Sequence, residues 1–150
     1  MNTLIDPVTE VSRVIGRFRR QLRRSTGRGF DSIRLSESQS ELLWLVGRQP
    51  DISVSAAAAE LGLVANTAST LVSKLVDKGL LVRTAGQTDR RVGQLRLTGA
   101  AQQIVDTSRA TRKAALAEVL NELDDAQIDS LAKGLEVLDT MTRRLQERPR

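Results

Sequence analysis

The change of hydrophobic period across residues 53–98 limits what this chain can fold into more than any other feature. Residues 53–61 read as a short alanine-rich helix, Gly62 interrupts it, and residues 65–78 read as a second helix that Gly79 ends at C′. Two helices joined by a tight glycine-containing turn form a helix-turn-helix. The small side chains of Ala56, Ala57, Ala58 and Ala59 let the second helix cross closely, although four alanines also favour helix on their own. After Gly79 the period falls to two. Residues 80–84 and 92–98 read as strands, with Leu95 and Leu97 alternating against Gln94, Arg96 and Thr98, and residues 85–91 form a polar tip between them. A β-hairpin placed directly after a helix-turn-helix makes a wing.

Longer helical segments flank this unit. Val8, Val11, Ile15, Phe18 and Leu22 make a heptad seam on a helix of about twenty residues that Gly27 and Gly29 end. Arg13, Arg17, Arg19, Arg20, Arg23 and Arg24 surround the seam, either as a solvated flank of a core-facing stripe or, for some, as phosphate contacts. Ser36 and Gln39 form a capping box that opens a helix to Arg48, with Gln39, Leu42, Leu43 and Val46 on one face and Pro50 as its stop. Trp44, the single tryptophan, reads as a packing residue at a helix junction or as a ligand platform. Thr98 caps a further helix ending at residues 119–121. Asp124 and Gln127 open a last one, with Ile128, Leu131, Leu135, Leu138 and Leu145 on one face and residues 146–150 as a frayed tail. No repeat or low-complexity linker divides the chain.

At 150 residues the chain is read as one domain with a core of Leu, Val, Ile and Ala, able to bury about two-thirds of its unfolded surface. It has no cysteine and no histidine. That excludes Cys/His zinc sites, thiol nucleophiles, disulfides and a His-based triad, so no catalytic residue, metal or cofactor is assigned. An enzyme would be left with carboxylate pairs or with Ser73 and Lys74, sequence neighbours that point apart on a helix. The net charge of +5 favours an anionic partner such as nucleic acid, and residues 1–35 carry the excess, with 8 basic and 3 acidic side chains. Arginine outnumbers lysine 19 to 4, reflecting either guanidinium chemistry at phosphates or codon bias. No apolar run reaches the roughly 20 residues that cross a bilayer, and no signal-peptide apolar region is seen. A cytoplasmic, nucleoid-associated protein without membrane contact is therefore expected.

With these elements placed, the sequence resembles the MarR family of winged helix-turn-helix transcriptional regulators. The resemblance rests on Leu61-Gly62-Leu63, Ala68-Ser69-Thr70-Leu71-Val72 with Leu75, Lys78-Gly79-Leu80-Leu81-Val82-Arg83, Asp89-Arg90-Arg91 and Leu95-Arg96-Leu97-Thr98, in the family's order and spacing. It implies a mainly α fold with a small β-hairpin wing, the winged helix-turn-helix spanning about residues 36–98 and dimerisation helices about 6–26 and 99–147. It also implies a homodimer reading a palindromic operator, commonly switched by a small molecule bound between the dimer helices and the winged lobe. Val64 stands where the family usually has a Ser, Thr or Asp cap, so the recognition helix is expected to start later, capped by Asn66. The seam at Val8 to Leu22 and the stripe at Ile128 to Leu145 expose more apolar surface than one lobe can cover, which independently favours a homodimer.

On the second helix Ala68, Leu71, Val72 and Leu75 share a buried face. Asn66, Thr70, Ser73 and Asp77 oppose it, flanked by Thr67, Ser69 and Lys74. Such short groups suit the major groove: Asn pairs with adenine, Ser and Thr with bases or phosphates, Lys with guanine or phosphate. The DNA-binding set is therefore Asn66, Thr67, Ser69, Thr70, Ser73 and Lys74, with Arg90 and Arg91 at the wing, where a guanidinium enters the minor groove. Arg90 is the more structural of the pair and Arg91 the contact. Asp89 is the wing-orienting residue through a bidentate pair. Asp77 is expected to turn from the duplex or pair with Lys74 or an arginine. The function expected is a dimeric double-stranded DNA-binding regulator, a repressor relieved by an effector; the alternative is a winged-helix protein-interaction or scaffolding module. Without Cys or His to sense redox or pH, the effector is a small apolar or aromatic-acid molecule, its carboxylate held by Arg17 or Arg20.

Overall fold

A computed structural model of the chain describes residues 6–26, 30, 33–86 and 93–148. Among them the order is α1 (Pro7–Ser25), α2 (Glu37–Arg48), β1 (Ile52–Ser53), α3 (Val54–Leu61), α4 (Ala65–Asp77), β2 (Leu81–Ala85), β3 (Gly93–Leu97), α5 (Gly99–Asn121) and α6 (Asp125–Gln146). Local signals account for most boundaries. Ser36 with Gln39 and Asp124 with Gln127 form complete capping boxes, and Asp6, Ser53 and Thr98 accept backbone N–H bonds at the starts of α1, α3 and α5. Gly62 and Gly79, at φ +65° and +70°, close α3 and α4 in the left-handed conformation that glycine adopts without a Cβ clash.

The sheet departs from the expected two-stranded hairpin. Ile52 and Ser53 pair with Leu95 and Gln94, giving three antiparallel strands in the order β1-β3-β2. Two residues are too few to display an alternating pattern, so β1 leaves no periodic trace. β2 and β3 pair from Leu81 against Leu97 to Ala85 against Gly93, so Leu81, Arg83 and Leu95 share the inner face.

The core is assembled from α2 (Leu42, Leu43, Leu45, Val46), α4 (Val72, Leu75), the sheet (Leu81, Leu95) and α5 (Ala101, Val105), closed by Leu80 and Phe30. Ala57 and Ala58 are buried while Ala56 and Ala59 are exposed, so two of the four alanines serve the close crossing of α3. The outer helices differ. α1 and α6 bury no residue. The α1 seam does not face this chain's core: Val8 is 76% and Phe18 57% exposed, and on α6 Leu145 is 63% exposed. α1 ends at Ser25, where Thr26 donates its backbone N–H to Leu22. The terminating glycines Gly27 and Gly29 lie outside the described residues.

Candidate nucleic-acid interface

The amphipathic pattern of α4 decides which side chains it presents. Ala68, Val72 and Leu75 turn into the core with Leu71 half-buried, and this leaves Asn66, Thr67, Ser69, Thr70, Ser73 and Lys74 exposed together. The Thr70 hydroxyl donates to the Asn66 carbonyl at 2.9 Å, so outward it offers acceptor lone pairs. Asp77 is exposed and makes no ion pair with any described residue, so of its two expected fates the pairing with Lys74 or an arginine is not seen among them.

The start of α4 corrects a second expectation. Asn66 does not cap it. Val64 is the N-cap residue, extended at φ −73° and ψ 153°, and no side chain accepts a bond there. Ala68 already donates its N–H to the Val64 carbonyl at 3.1 Å, so the helical ladder begins before Asn66 can act as a cap. A Ser, Thr, Asp or Asn cap is ordinarily worth about 0.5–2 kcal/mol.

The sheet beside α4 is fastened at its base. Asp51, at φ +67°, takes a bidentate pair from Arg96, with Nη2 2.7 Å from Oδ2, and its N–H donates to the Leu95 carbonyl at 3.0 Å. Hydrogen bonding to Arg96 first, and its charge second, holds the Asp51 carboxyl below its ordinary pKa. Arg83 is exposed on the inner face, and its guanidinium lies across β3 where a Cβ on Gly93 would collide with it. In the sequence, Arg83 stands in the Lys78–Arg83 motif without a role of its own, and the missing side chain at Gly93 is the one signal of where its guanidinium lies. Asp89, Arg90 and Arg91 lie outside the described residues.

The MarR family model matches residues 35–92, from the last residue before the Ser36 cap through α2, α3, α4 and β2. Over this segment the chain is similar to the MarR family. Solved structures extend the likeness to the whole fold. FabT of Streptococcus pneumoniae in complex with DNA aligns with a TM-score of 0.76 at 24% identity, covering 93% of this chain and 99% of its own. CouR from Rhodococcus jostii RHA1, bound to p-coumaroyl-CoA, gives 0.65 at 21%, covering 92% and 95%. A MarR-family transcriptional regulator from Rhodococcus sp. RHA1 gives 0.60 at 19%, covering 92% and 96%. The chain thus has the fold of MarR regulators, with its expected mainly helical architecture. A comparison with curated proteins gives no match.

A cleft of about 660 Å³ opens between α1, α2 and α5, with the end of α6 at its edge. Trp44 lines it, edge-on to Phe30 at 5.5 Å and 74°, and the Arg112 guanidinium sits 4.9 Å from the Trp44 ring centroid. Trp44 is therefore both a packing residue and part of a cavity wall. Arg112 Nε is buried without a hydrogen-bond partner. Arg19 bridges Glu37 and Glu41 of α2, with its Nη2 3.0 Å from Glu41. Arg19 and Arg23 line the cleft, whereas Arg17 and Arg20 do not. At about 100° per residue Arg19 and Arg23 share the face of Leu22, and Arg17 and Arg20 fall on others. No helix among the described residues is long and apolar enough to cross a membrane.

Proposed function

We propose that this protein is a homodimeric, sequence-specific regulator of double-stranded DNA, acting in the cytoplasm at the nucleoid, and a binding protein rather than an enzyme. The observation that carries the reading is the exposed face of α4. Asn66, Thr67, Ser69, Thr70, Ser73 and Lys74 form one surface of short hydrogen-bonding groups on a MarR-matched module. Arg90 and Arg91 supply the wing contact, Asp89 orients them, and Arg83 adds a cation between the wing and α4. The winged lobe is about residues 36–98, and the exposed seams of α1 and α6 pair two chains. Enriching random duplexes on the purified protein is expected to yield an inverted repeat with half-sites about 34–36 Å apart. Arg91→Ala should weaken binding on every sequence, while changes at Asn66, Thr70 or Ser73 relax preference at particular positions. Failure to enrich any sequence would overturn the proposal and favour the protein-interaction alternative, as would an affinity insensitive to salt.

The cleft supports the regulatory half. A buried guanidinium nitrogen without a partner, beside an aromatic ring, suits an aromatic or apolar acid whose carboxylate Arg112 would hold. Binding there would set the position of α1 against α2 through Arg19, and so lift repression. Arg112, with Arg19 and Arg23, replaces Arg17 and Arg20 in this role.

A further inference from the structure

Two exposed apolar groups on α4 are not explained by its polar chemistry, Val64 at the entry and Val76, 38% exposed, near the far end; Val64 is the more open and lies at the end that recognition helices turn to base edges. Val64 is 61% exposed at the entry to the helix, next to the exposed Ala65, Asn66 and Thr67. Its two methyl groups are therefore largely open to solvent, and they cover little of the core beneath. The other described helices make the contrast plain. Asp6, Ser36, Ser53, Thr98 and Asp124 each accept a backbone N–H, and Val64 alone has no side-chain oxygen to do so. A residue that gives up capping and leaves its apolar surface in water is unfavourable in the free protein on both counts. Contact made only in the complex would recover that cost.

In recognition helices of helix-turn-helix proteins the N-terminal residues approach base edges, and the thymine C5-methyl is the apolar feature of the major groove. Asn66 and Thr67, exposed on the same turn, would bring hydrogen-bonding groups to the neighbouring edges. We infer that Val64 is a specificity-determining residue that packs its methyl groups on a thymine methyl in each half-site. The inference rests on the DNA-binding reading and deepens it. Serine at this position would reverse both terms, gaining a cap and losing the apolar contact.

Deoxyuridine removes the thymine methyl and leaves the hydrogen-bonding edge intact, so it isolates the contact. On the operator enriched by the wild-type protein, replacing thymines one at a time with deoxyuridine is expected to cost about four-fold in affinity per half-site at one position. In Val64→Ser that position should become insensitive, while the Tm of the free protein rises by about 2–4 °C. Val64→Thr, which keeps one methyl group, should retain part of the sensitivity. Insensitivity of the wild type at every thymine, or equal sensitivity in Val64→Ser, would overturn the inference with DNA binding intact. Failure to enrich any duplex would instead overturn the DNA-binding reading, and this inference with it.

Discussion

Asp51 shows how much one side chain can do outside the regular elements. Its left-handed backbone is uncommon for a residue with a Cβ, and Asp tolerates it better than most. The same residue ties β1 to β3 through its N–H and through Arg96. Its carboxyl is lowered in pKa by the pair, so the stabilisation is present above the ordinary carboxylate range, near about pH 4. It is lost as pH falls through the folded-state value. Thermal melts should accordingly show Asp51→Asn below the wild type at pH 7 and the two converging under acid conditions. An unchanged gap at about pH 2 would refute the assignment. Neither partner signals the pair in sequence, because 45 positions separate them and only the β1–β3 register brings them together.

Among the elements, α2 packs closely on α5 at Gly47. A Cβ at Gly47 would come within 3.0 Å of Val105 Cγ1 and 3.4 Å of Leu97 Cδ1, and Arg109 reaches the Gly47 carbonyl at 3.3 Å. Gly47→Leu should overpack this junction and destabilise the fold by about 1–3 kcal/mol. Urea unfolding at fixed protein concentration checks it, through a lower midpoint with an unchanged slope. No loss would mean that α5 can slide from α2 freely. The helices themselves were legible: capping boxes at Ser36 and Asp124, the Thr98 cap and the Gly79 stop all stand where the residues indicate. The cap at α4 was not, since Asn66 has the right chemistry and the wrong position in the ladder.

At the scale of the whole molecule, the unburied faces of α1 and α6 predict the oligomeric state. Light scattering at micromolar concentration should give about twice the 16.5 kDa chain mass. Phe18→Asp, which places a charge in the α1 seam, should shift the protein toward monomer and weaken operator binding with it. A monomeric wild type would remove the two-half-site geometry. The cleft couples to the same helices, and the single tryptophan in its wall provides the readout. Titration with an aromatic carboxylate should change Trp44 fluorescence and lower operator affinity by about 5- to 150-fold, the range of ordinary coupling energies. Arg112→Ala should abolish both responses.

Periodicity, caps and glycine stops act between residues a few positions apart, so the amino-acid sequence by itself determined the helix-turn-helix, the hairpin that follows it and the exposed polar face of α4. The third strand, the Asp51–Arg96 pair, the Arg83 guanidinium over Gly93 and the arginines of the cleft were decided only by tertiary structure. Each joins segments distant along the chain, or depends on which side of a helix meets a neighbour. The heptad seam of α1 shows the boundary between the two: spacing identifies an apolar stripe, but only packing reveals that this chain leaves it uncovered.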